Sequence, residues 1–235
     1  MPPAIRMADH IIVPSQATAD VVAEFNQQAT DKISVIPLAS NIFPQGQRGA
    51  IDTKHQPTQD YLLMVANLEP RKNMCRVVNA FKQAKPNLPK GFKLKIAGGR
   101  GWHSDELINL LEDSRSFDVE YLDVVDDEQL TLLYSGCRGV MLPSLYEGFG
   151  LSLVEAFAFG KPVITANLSS LPEVAGDAGL LVNPYDTAEI TQAILNLCLD
   201  EQLYEKLSRQ ATLRHKLFSW EKAATQTYKV IKQLL

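Results

Sequence analysis

The sequence predicts an α/β fold built on a doubly wound parallel sheet, and two observations carry this prediction. Six short apolar runs rich in β-branched residues have the length of buried strands: 61–66, 93–97, 118–122, 138–142, 162–165 and 179–182. Stretches with helical periodicity alternate with them: 73–84, 105–115, 127–135 and 150–159. Two or three further helices are predicted from Thr187 onward. This alternation implies right-handed crossovers and ligand sites at the carboxyl ends of the strands.

The chain ahead of this alternation has a different pattern. Residues 11–13 and 33–36 are predicted to be short strands, and Ser15 is placed to cap a helix over 17–27. The stretch 38–58 is rich in Gly, Pro, Gln and Asn and has little periodicity, which is typical of a connector.

Composition narrows the class of protein. With 235 residues and 46% apolar content, the chain can bury one substantial core. A net charge of −4 argues against a nucleic-acid partner. The three cysteines, Cys75, Cys137 and Cys198, lack C-x-x-C spacing, so neither a zinc site nor a disulfide framework is indicated. No signal-peptide pattern or run of about 20 apolar residues is present, and we expect a cytoplasmic protein.

The most informative motif is PSLYEGFGLSLVE, residues 143–155. It predicts a strand end, a glycine turn and the start of a buried helix. Gly148 and Gly150 allow a close backbone approach to a ligand, and the helix start offers free N–H groups to an anion. Glu147 and Glu155 bracket this turn and can accept from hydroxyl groups. An anion site flanked by carboxylates suits a nucleotide sugar.

This motif resembles the Glu, seven residues, Glu signature of retaining glycosyltransferases with the two-domain GT-B fold, the glycosyl transferase group 1 family. Two more segments resemble the same family in the same order: YLLMVANLEPRKN at 61–73 and PVITANLSSLPEVAG at 162–176. The resemblance covers nearly the whole chain. It implies that 46–235 is the C-terminal, Rossmann-like nucleotide-sugar-binding domain with its terminal helices. It also implies that 1–45 is the tail of an N-terminal acceptor domain and the start of the connector, most of that domain being absent.

The resemblance implies transfer of a hexosyl unit from a nucleoside diphosphate sugar, with retention, to a glycan or lipid-linked acceptor held by the missing N-terminal domain. The variant LEPRKN at 68–73 resembles mannosyltransferases of polysaccharide biosynthesis, which makes GDP-mannose a candidate donor. Peripheral membrane association of the full enzyme is compatible with this role. The alternative is a non-catalytic nucleotide-sugar-binding module that needs a partner chain for activity.

The resemblance also assigns roles to charged residues. Lys72 matches the lysine that holds the donor diphosphate, Asn67 occupies the usual arginine position, and Arg71 is a candidate replacement for that charge. Glu147 matches the carboxylate that faces the transferred sugar, and Glu155 matches the one that binds ribose. We expect Glu147 and Lys72 to be the catalytic pair. Without the resemblance, Arg71 and Lys72 would be interpreted first as solvated cations, because charged residues are mostly exposed, and either glutamate could be structural.

The remaining expected substrate contacts lie in loops and at the helix start: Gly98, Val125, Gly148, Phe149, Gly150 and Leu151. No metal is expected, because the histidines share no ligand spacing and Asp126 with Gln129 fits a capping box. No cofactor is expected either. A nicotinamide dehydrogenase is excluded by the lack of G-x-G-x-x-G after the first long strand, and a P-loop is excluded by Glu155 at its first glycine position. A glycoside hydrolase would not need Arg71 and Lys72, the two cations of the turn after the first long strand.

Overall fold

A computed structural model of the chain describes residues 3–43, 60–102 and 105–235. Eight strands lie within these residues: β1 Ile11–Val13, β2 Ile33–Val35, β3 Tyr61–Val65, β4 Lys93–Ala97, β5 Val119–Tyr121, β6 Gly139–Leu142, β7 Val163–Ala166 and β8 Gly179–Val182. The described α-helices are α1 Pro3–Met7, α2 Gln16–Phe25, α3 Met74–Ala84, α4 Asp105–Asp113, α5 Asp127–Gly136, α6 Leu151–Ala158, α7 Leu171–Ala175, α8 Thr187–Leu199, α9 Glu201–His215 and α10 Trp220–Leu234. In the described ranges, no helix combines the length and apolar character needed to cross a membrane.

Six of the strands form one parallel sheet in the order β5-β4-β3-β6-β7-β8. The chain adds strands outward from β3 in one direction through β4 and β5, and then returns to add β6 on the other side. β3 and β6 therefore flank the switch point of the sheet, where the loops at their carboxyl ends diverge and leave a crevice. This position is where a doubly wound sheet places its ligand.

Helices cover both faces of the sheet because its strands are apolar on both sides. Along β3, Leu62 and Met64 point into one core while Tyr61 and Leu63 point into the other, as the alternation of a strand requires. Helices α3 and α8 pack on the first face, and α5 and α6 on the second. Both cores are buried, which fixes the strand ends that carry the site.

The N-terminal residues form a separate, small unit. β1 and β2 pair in parallel with Ile11 opposite Ile33, and they make a two-stranded sheet of their own. The last helix, α10, packs on this unit, because Ile36 shares a small buried cluster with Ala223 and Val230.

The strand pattern predicted from the sequence is confirmed. β4 and β8 have the predicted bounds, and the other four strands of the large sheet begin or end within a residue or two of the prediction. Ser15 caps α2 as predicted, although the helix ends at Phe25 rather than at residue 27. Helices α1 and α7 were not predicted, since each is only five residues long and shows no periodicity. Residues 44–59, with most of the predicted connector and the proposed boundary at 45–46, lie outside the described residues.

Candidate functional site

The loops that follow β3 and β6 are joined at the switch point. The backbone N–H of Leu145 donates to the carbonyl of Arg71 over 2.9 Å. Asn73 is buried in the left-handed conformation, with φ of 61°, and its side-chain amide donates to the carbonyl of Pro143 over 3.0 Å. Asparagine tolerates this conformation better than most residues do. These contacts hold the turn that carries Arg71 and Lys72 against the loop 143–150, which we call the signature loop.

Glu147 is the centre of an ion cluster at this junction. Its Oε1 lies 2.6 Å from Nζ of Lys72, and its Oε2 lies 2.8 Å from Nη1 of Arg71. Arg71 also contacts Oε2 of Glu69 over 3.1 Å and donates to the carbonyl of Tyr146. Glu147 is only 8% exposed, so water screens these ion pairs less than pairs on the open surface.

The cluster perturbs the titration of Arg71. Partial burial lowers the pKa of Arg71, but attraction to Glu147 and hydrogen bonds to Glu147 and Glu69 outweigh burial and raise the pKa above its usual value. Arg71 therefore carries a permanent positive charge beside that of Lys72. Both cations face a carboxylate, and two convergent cations can also hold a diphosphate.

Two serines to which the sequence motifs gave no role hold the backbone of Glu147. The N–H of Glu147 donates to Oγ of Ser169 over 3.1 Å, and its carbonyl accepts from Oγ of Ser170 over 2.9 Å. Both serines lie in the segment 162–176, which gave a family likeness but no individual role. The backbone of Glu147 is thus held at both its N–H and its carbonyl group.

Gly150 is the N-cap residue of α6 and has a conformation that favours glycine, with φ of 96°. A Cβ atom at this position would lie 2.8 Å from Cδ2 of Leu171. The turn therefore needs glycine both for its dihedral angles and for its space. The N-terminus of α6, with its positive dipole end, follows this turn directly.

The side chains next to this turn differ in direction. Phe149 is buried and packs edge-on against Phe218 at 5.9 Å between ring centroids, so only its backbone can reach a ligand. Leu151, the first residue of α6, is 40% exposed. Beyond its adjacent residues, a Cβ atom at Gly148 would have one neighbour within 4 Å, Oγ1 of Thr18 at 3.8 Å.

Glu155 is largely buried, and its partner is Tyr134 on α5. The phenol donates to Oε2 of Glu155 over 2.6 Å, and the Tyr134 ring stacks on Phe159. Burial raises the pKa of Glu155, the hydrogen bond from Tyr134 lowers it in part, and the nearby charge of Asp127 raises it. Burial also raises the pKa of Tyr134, which keeps the phenol protonated as a donor. Sequence reasoning missed Tyr134.

Gly98, at the end of β4, makes the closest backbone approach near the site. Its φ is 152°, and a Cβ there would lie 2.1 Å from the carbonyl oxygen of Ala66. Its N–H donates to the carbonyl of Asp123 over 2.9 Å. The residue after β4 therefore packs closely against the backbone next to the exposed Asn67 and contacts the loop that carries the half-buried Val125.

The structure therefore joins Arg71, Lys72 and Glu147 by direct contact. Within the described part of the chain, no hydrogen bond or ion pair connects Glu155, Gly98 or Val125 to that cluster. Gly98 follows β4, Val125 lies in the loop between β5 and α5, and Glu155 lies within α6, the helix that follows the β6 loop. The described residues hold no group of three or more His, Cys, Asp or Glu side chains able to bind a metal.

Comparison with known proteins identifies the family. The family model of glycosyl transferases group 1 matches residues 50–214. The chain is 36% identical over 222 residues to O-antigen chain mannosyltransferase B of Escherichia coli, and the alignment covers 92% of this chain and 58% of the relative. The predicted likeness to mannosyltransferases is thereby confirmed.

Solved structures agree on the fold. Sucrose-phosphate synthase from Thermosynechococcus elongatus superposes with a TM-score of 0.80 at 25% identity, over 99% of this chain and 60% of that one. HepE of Anabaena, crystallised with UDP and glucose, superposes with a TM-score of 0.79 at 21% identity, over 97% of this chain and 64% of that one. The chain thus spans about three fifths of each of these proteins and has the Rossmann-like fold of GT-B enzymes. Because the family model matches most of its length, the chain belongs to the glycosyl transferases group 1 family.

Proposed function

We propose that this chain binds a nucleoside diphosphate sugar and supplies the donor half of a retaining hexosyl transfer to a glycan or lipid-linked acceptor. The observation that supports this most is the convergence of Arg71 and Lys72 on Glu147 at the switch point of the sheet. Two cations and a helix start suit a diphosphate, and the carboxylate beside them suits sugar hydroxyls. A binding module that needs a partner chain for activity is the second candidate.

Catalysis would be electrostatic. As the bond between sugar and diphosphate breaks, negative charge builds up on the leaving diphosphate. We infer that Lys72, Arg71 and the N-terminus of α6 would stabilise that charge. Glu147, held by its backbone contacts, would orient the sugar by accepting from its hydroxyls. For the diphosphate to bind, Lys72 and Arg71 would turn from Glu147 to the diphosphate, which leaves the Glu147 carboxylate in place for the sugar.

The nucleoside would lie beside Glu155. Tyr134 occupies Oε2 of this carboxylate, which leaves Oε1 to accept from a ribose hydroxyl. Val125 and Gly98 lie in the loops where the base would contact backbone groups. Neither residue type distinguishes guanine from uracil or adenine.

Mannose is the first sugar to test. The E. coli relative is an O-antigen chain mannosyltransferase, and the fold neighbour from Anabaena was crystallised with UDP and glucose. We therefore propose GDP-mannose first and UDP-sugars second as donors for polysaccharide synthesis. The chain spans 58% of the E. coli relative, so we propose that the acceptor is bound mainly by a domain additional to this chain.

The test has two stages. GDP-, UDP- and ADP-sugars are screened for thermal stabilisation of the 235-residue chain, and the best ligand is then used with a panel of glycan acceptors, with and without an added N-terminal domain. We expect binding by this chain, with transfer and retained anomeric configuration only when the added domain is present. Failure of every nucleotide sugar to bind would refute the donor site. A product with inverted anomeric configuration would refute retention. Sustained transfer by this chain alone would refute the proposal that it supplies only the donor half.

A further inference from the structure

Two hydroxyl groups from the N-terminal unit hold the signature loop. Oγ of Ser15 lies 2.7 Å, and Oγ1 of Thr18 lies 3.0 Å, from the carbonyl oxygen of Gly148. A carbonyl oxygen has two lone pairs, so it can accept from both hydroxyls at once. Ser15 is fully buried, and these contacts join residues that lie 133 and 130 positions apart in sequence. The peptide group next to Glu147 is thereby tied to the start of α2.

Specific hydrogen bonds also join α2 to the part of the chain built on the six-stranded sheet, which we call the large domain. The carboxylate of Glu173, on α7, accepts from the backbone N–H groups of Gln16 and Ala17 over 2.9 and 3.1 Å. An anion at a helix N-terminus satisfies amides that have no partner inside the helix and interacts favourably with the helix dipole. Arg214 in turn donates to the carbonyls of Glu173 and Val174. The first turn of α2 is therefore docked by its backbone as well as by its hydroxyls.

The two sets of contacts meet at one short segment. Ser169 and Ser170 hold the N–H and carbonyl of Glu147 from the large domain, and Ser15 and Thr18 hold the carbonyl of Gly148 from the N-terminal unit. Consecutive residues of this loop are thus fixed by four side-chain hydroxyls. Glycine at position 148 would otherwise let this segment move, because glycine has the widest backbone freedom.

We propose that Ser15 and Thr18 are positioning residues for donor binding. By holding the Gly148 carbonyl they keep the Glu147 carboxylate in place for the sugar, and they make the geometry of the sugar site depend on how the N-terminal unit is seated. This inference rests on the proposed function, which gives Glu147 its ligand. The competing explanation is that these hydroxyls only stabilise the fold.

Thr18→Val is the variant that tests this proposal most directly. It keeps the shape of the side chain and removes only the hydroxyl, whereas Ser15→Ala would also remove the N-cap bond from the Thr18 N–H. Thr18→Ser restores the hydroxyl. Thr212→Val is the matched control, because the Thr212 hydroxyl donates to the carbonyl of Ser208 within α9.

Two readouts are measured on the 235-residue chain. The first is the affinity for GDP-mannose or UDP-glucose against that for the bare diphosphate. The second is amide hydrogen exchange at Glu147 in the ligand-free chain. We expect Thr18→Val to weaken nucleotide-sugar binding about two- to tenfold, as the loss of one hydrogen bond implies, while diphosphate binding stays unchanged. We also expect faster exchange at Glu147, and we expect Thr18→Ser to restore both values.

Equal losses for sugar conjugate and diphosphate, or unchanged exchange at Glu147, would overturn the proposal. So would the same effects in Thr212→Val. If the parent chain binds no nucleotide sugar, the proposed function fails, but the exchange measurement still decides whether Thr18 restrains the loop. Faster exchange in Thr18→Val alone would then support the restraint, and unchanged exchange would refute it.

Discussion

The phenol of Tyr134 donates a hydrogen bond of 2.6 Å to Oε2 of Glu155 and thereby satisfies one oxygen of a carboxylate on a mostly buried helix. Burial of an unpaired charge is costly, and one charged hydrogen bond offsets only part of that cost. The raised pKa of Glu155 reflects the remainder. A ribose hydroxyl bound to Oε1 would supply a further donor. The ionisation of Glu155 should therefore respond both to Tyr134 and to a bound nucleotide.

The first prediction is a pH-dependent affinity that Tyr134 controls. A ribose donor favours the ionised carboxylate, so nucleotide affinity should fall as the pH drops through the raised pKa of Glu155, starting above the ordinary value of 4.5. Tyr134→Phe removes a hydrogen bond that favours ionisation, which should move the fall to higher pH. Calorimetric titration of the best nucleotide from about pH 5 to about pH 8 in both proteins measures the direction of this shift. Superimposable profiles would show that Tyr134 does not tune the binding group.

The second prediction sets stability against binding at Glu155. Its folded pKa is raised above the unfolded value, so its ionisation costs stability above the folded pKa, and that cost disappears below the unfolded pKa. Glu155→Gln should therefore raise the unfolding temperature of the ligand-free chain at about pH 7 and have little effect near about pH 4. It should also weaken nucleotide binding about ten- to a hundredfold, because a charged acceptor is lost.

Thermal unfolding at both pH values and titration of the nucleotide check this second prediction. Glu112→Gln, on the exposed side of α4, is the matched control and should change neither quantity. Equal dissociation constants for Glu155→Gln and the parent chain would rule out the ribose role. Stabilisation of the same size at both pH values would mean that ionisation is not its cause.

The third prediction separates phosphate contacts from sugar contacts. Lys72→Ala should weaken binding of the bare diphosphate and of the sugar conjugate alike, by about ten- to a hundredfold, because its charge faces what the two ligands share. Glu147→Ala should weaken the sugar conjugate alone. In the ligand-free protein Glu147 is the anion that pairs with Lys72 and Arg71, so its removal frees both cations for the diphosphate.

Isothermal titration with the diphosphate and the nucleotide sugar measures this difference, with the exposed Lys90→Ala as the control for a lost lysine charge. A comparable loss of bare diphosphate affinity in Glu147→Ala would make the assignment of Glu147 to the sugar wrong. In that case the carboxylate would serve mainly to position the cations.

Sequence patterns predicted the large sheet well because its strands are buried on both faces. The central strands β3, β6 and β7 are short apolar runs, and β4 is bounded by Lys93 at its start and by Gly98 after its end. The five-residue helix α7 escaped prediction because it starts at a Leu-Pro pair and is shorter than two helical turns. Short helices are fixed by packing, in this case of Leu171 and Val174 in the second core, and packing is not visible in a local pattern.

Glu147 and Lys72 were predicted from two separate motifs, and the structure places their side-chain atoms 2.6 Å apart, while their roles in binding stay a prediction. Contacts between other distant segments were not predicted. Tyr134 is 21 residues from Glu155 on another helix, and Ser169 is 22 residues from Glu147. The sequence around a serine or tyrosine does not indicate which residue its hydroxyl group will contact. Such contacts follow only from the three-dimensional arrangement of the strand ends.

The last prediction concerns the close approach at Gly98. Gly98 and Gly91 both have positive φ, 152° and 80°, so alanine at either position meets backbone strain of about 1–2 kcal/mol. The two positions differ in the space available for a Cβ atom. A Cβ at Gly91 has no neighbour within 4 Å, whereas one at Gly98 would lie 2.1 Å from the carbonyl oxygen of Ala66, a backbone atom held next to β3.

Gly98→Ala should therefore lower the free energy of unfolding by about 1–3 kcal/mol more than Gly91→Ala, because the end of β4 must move away from Ala66. Urea unfolding of the two variants and the parent chain measures this difference. The same movement would displace Asn67, so Gly98→Ala should also lose nucleotide affinity while Gly91→Ala keeps it. Equal stability of the two variants would mean that the backbone accommodates the methyl group. The contact between the ends of β3 and β4 would then not be needed to shape the site.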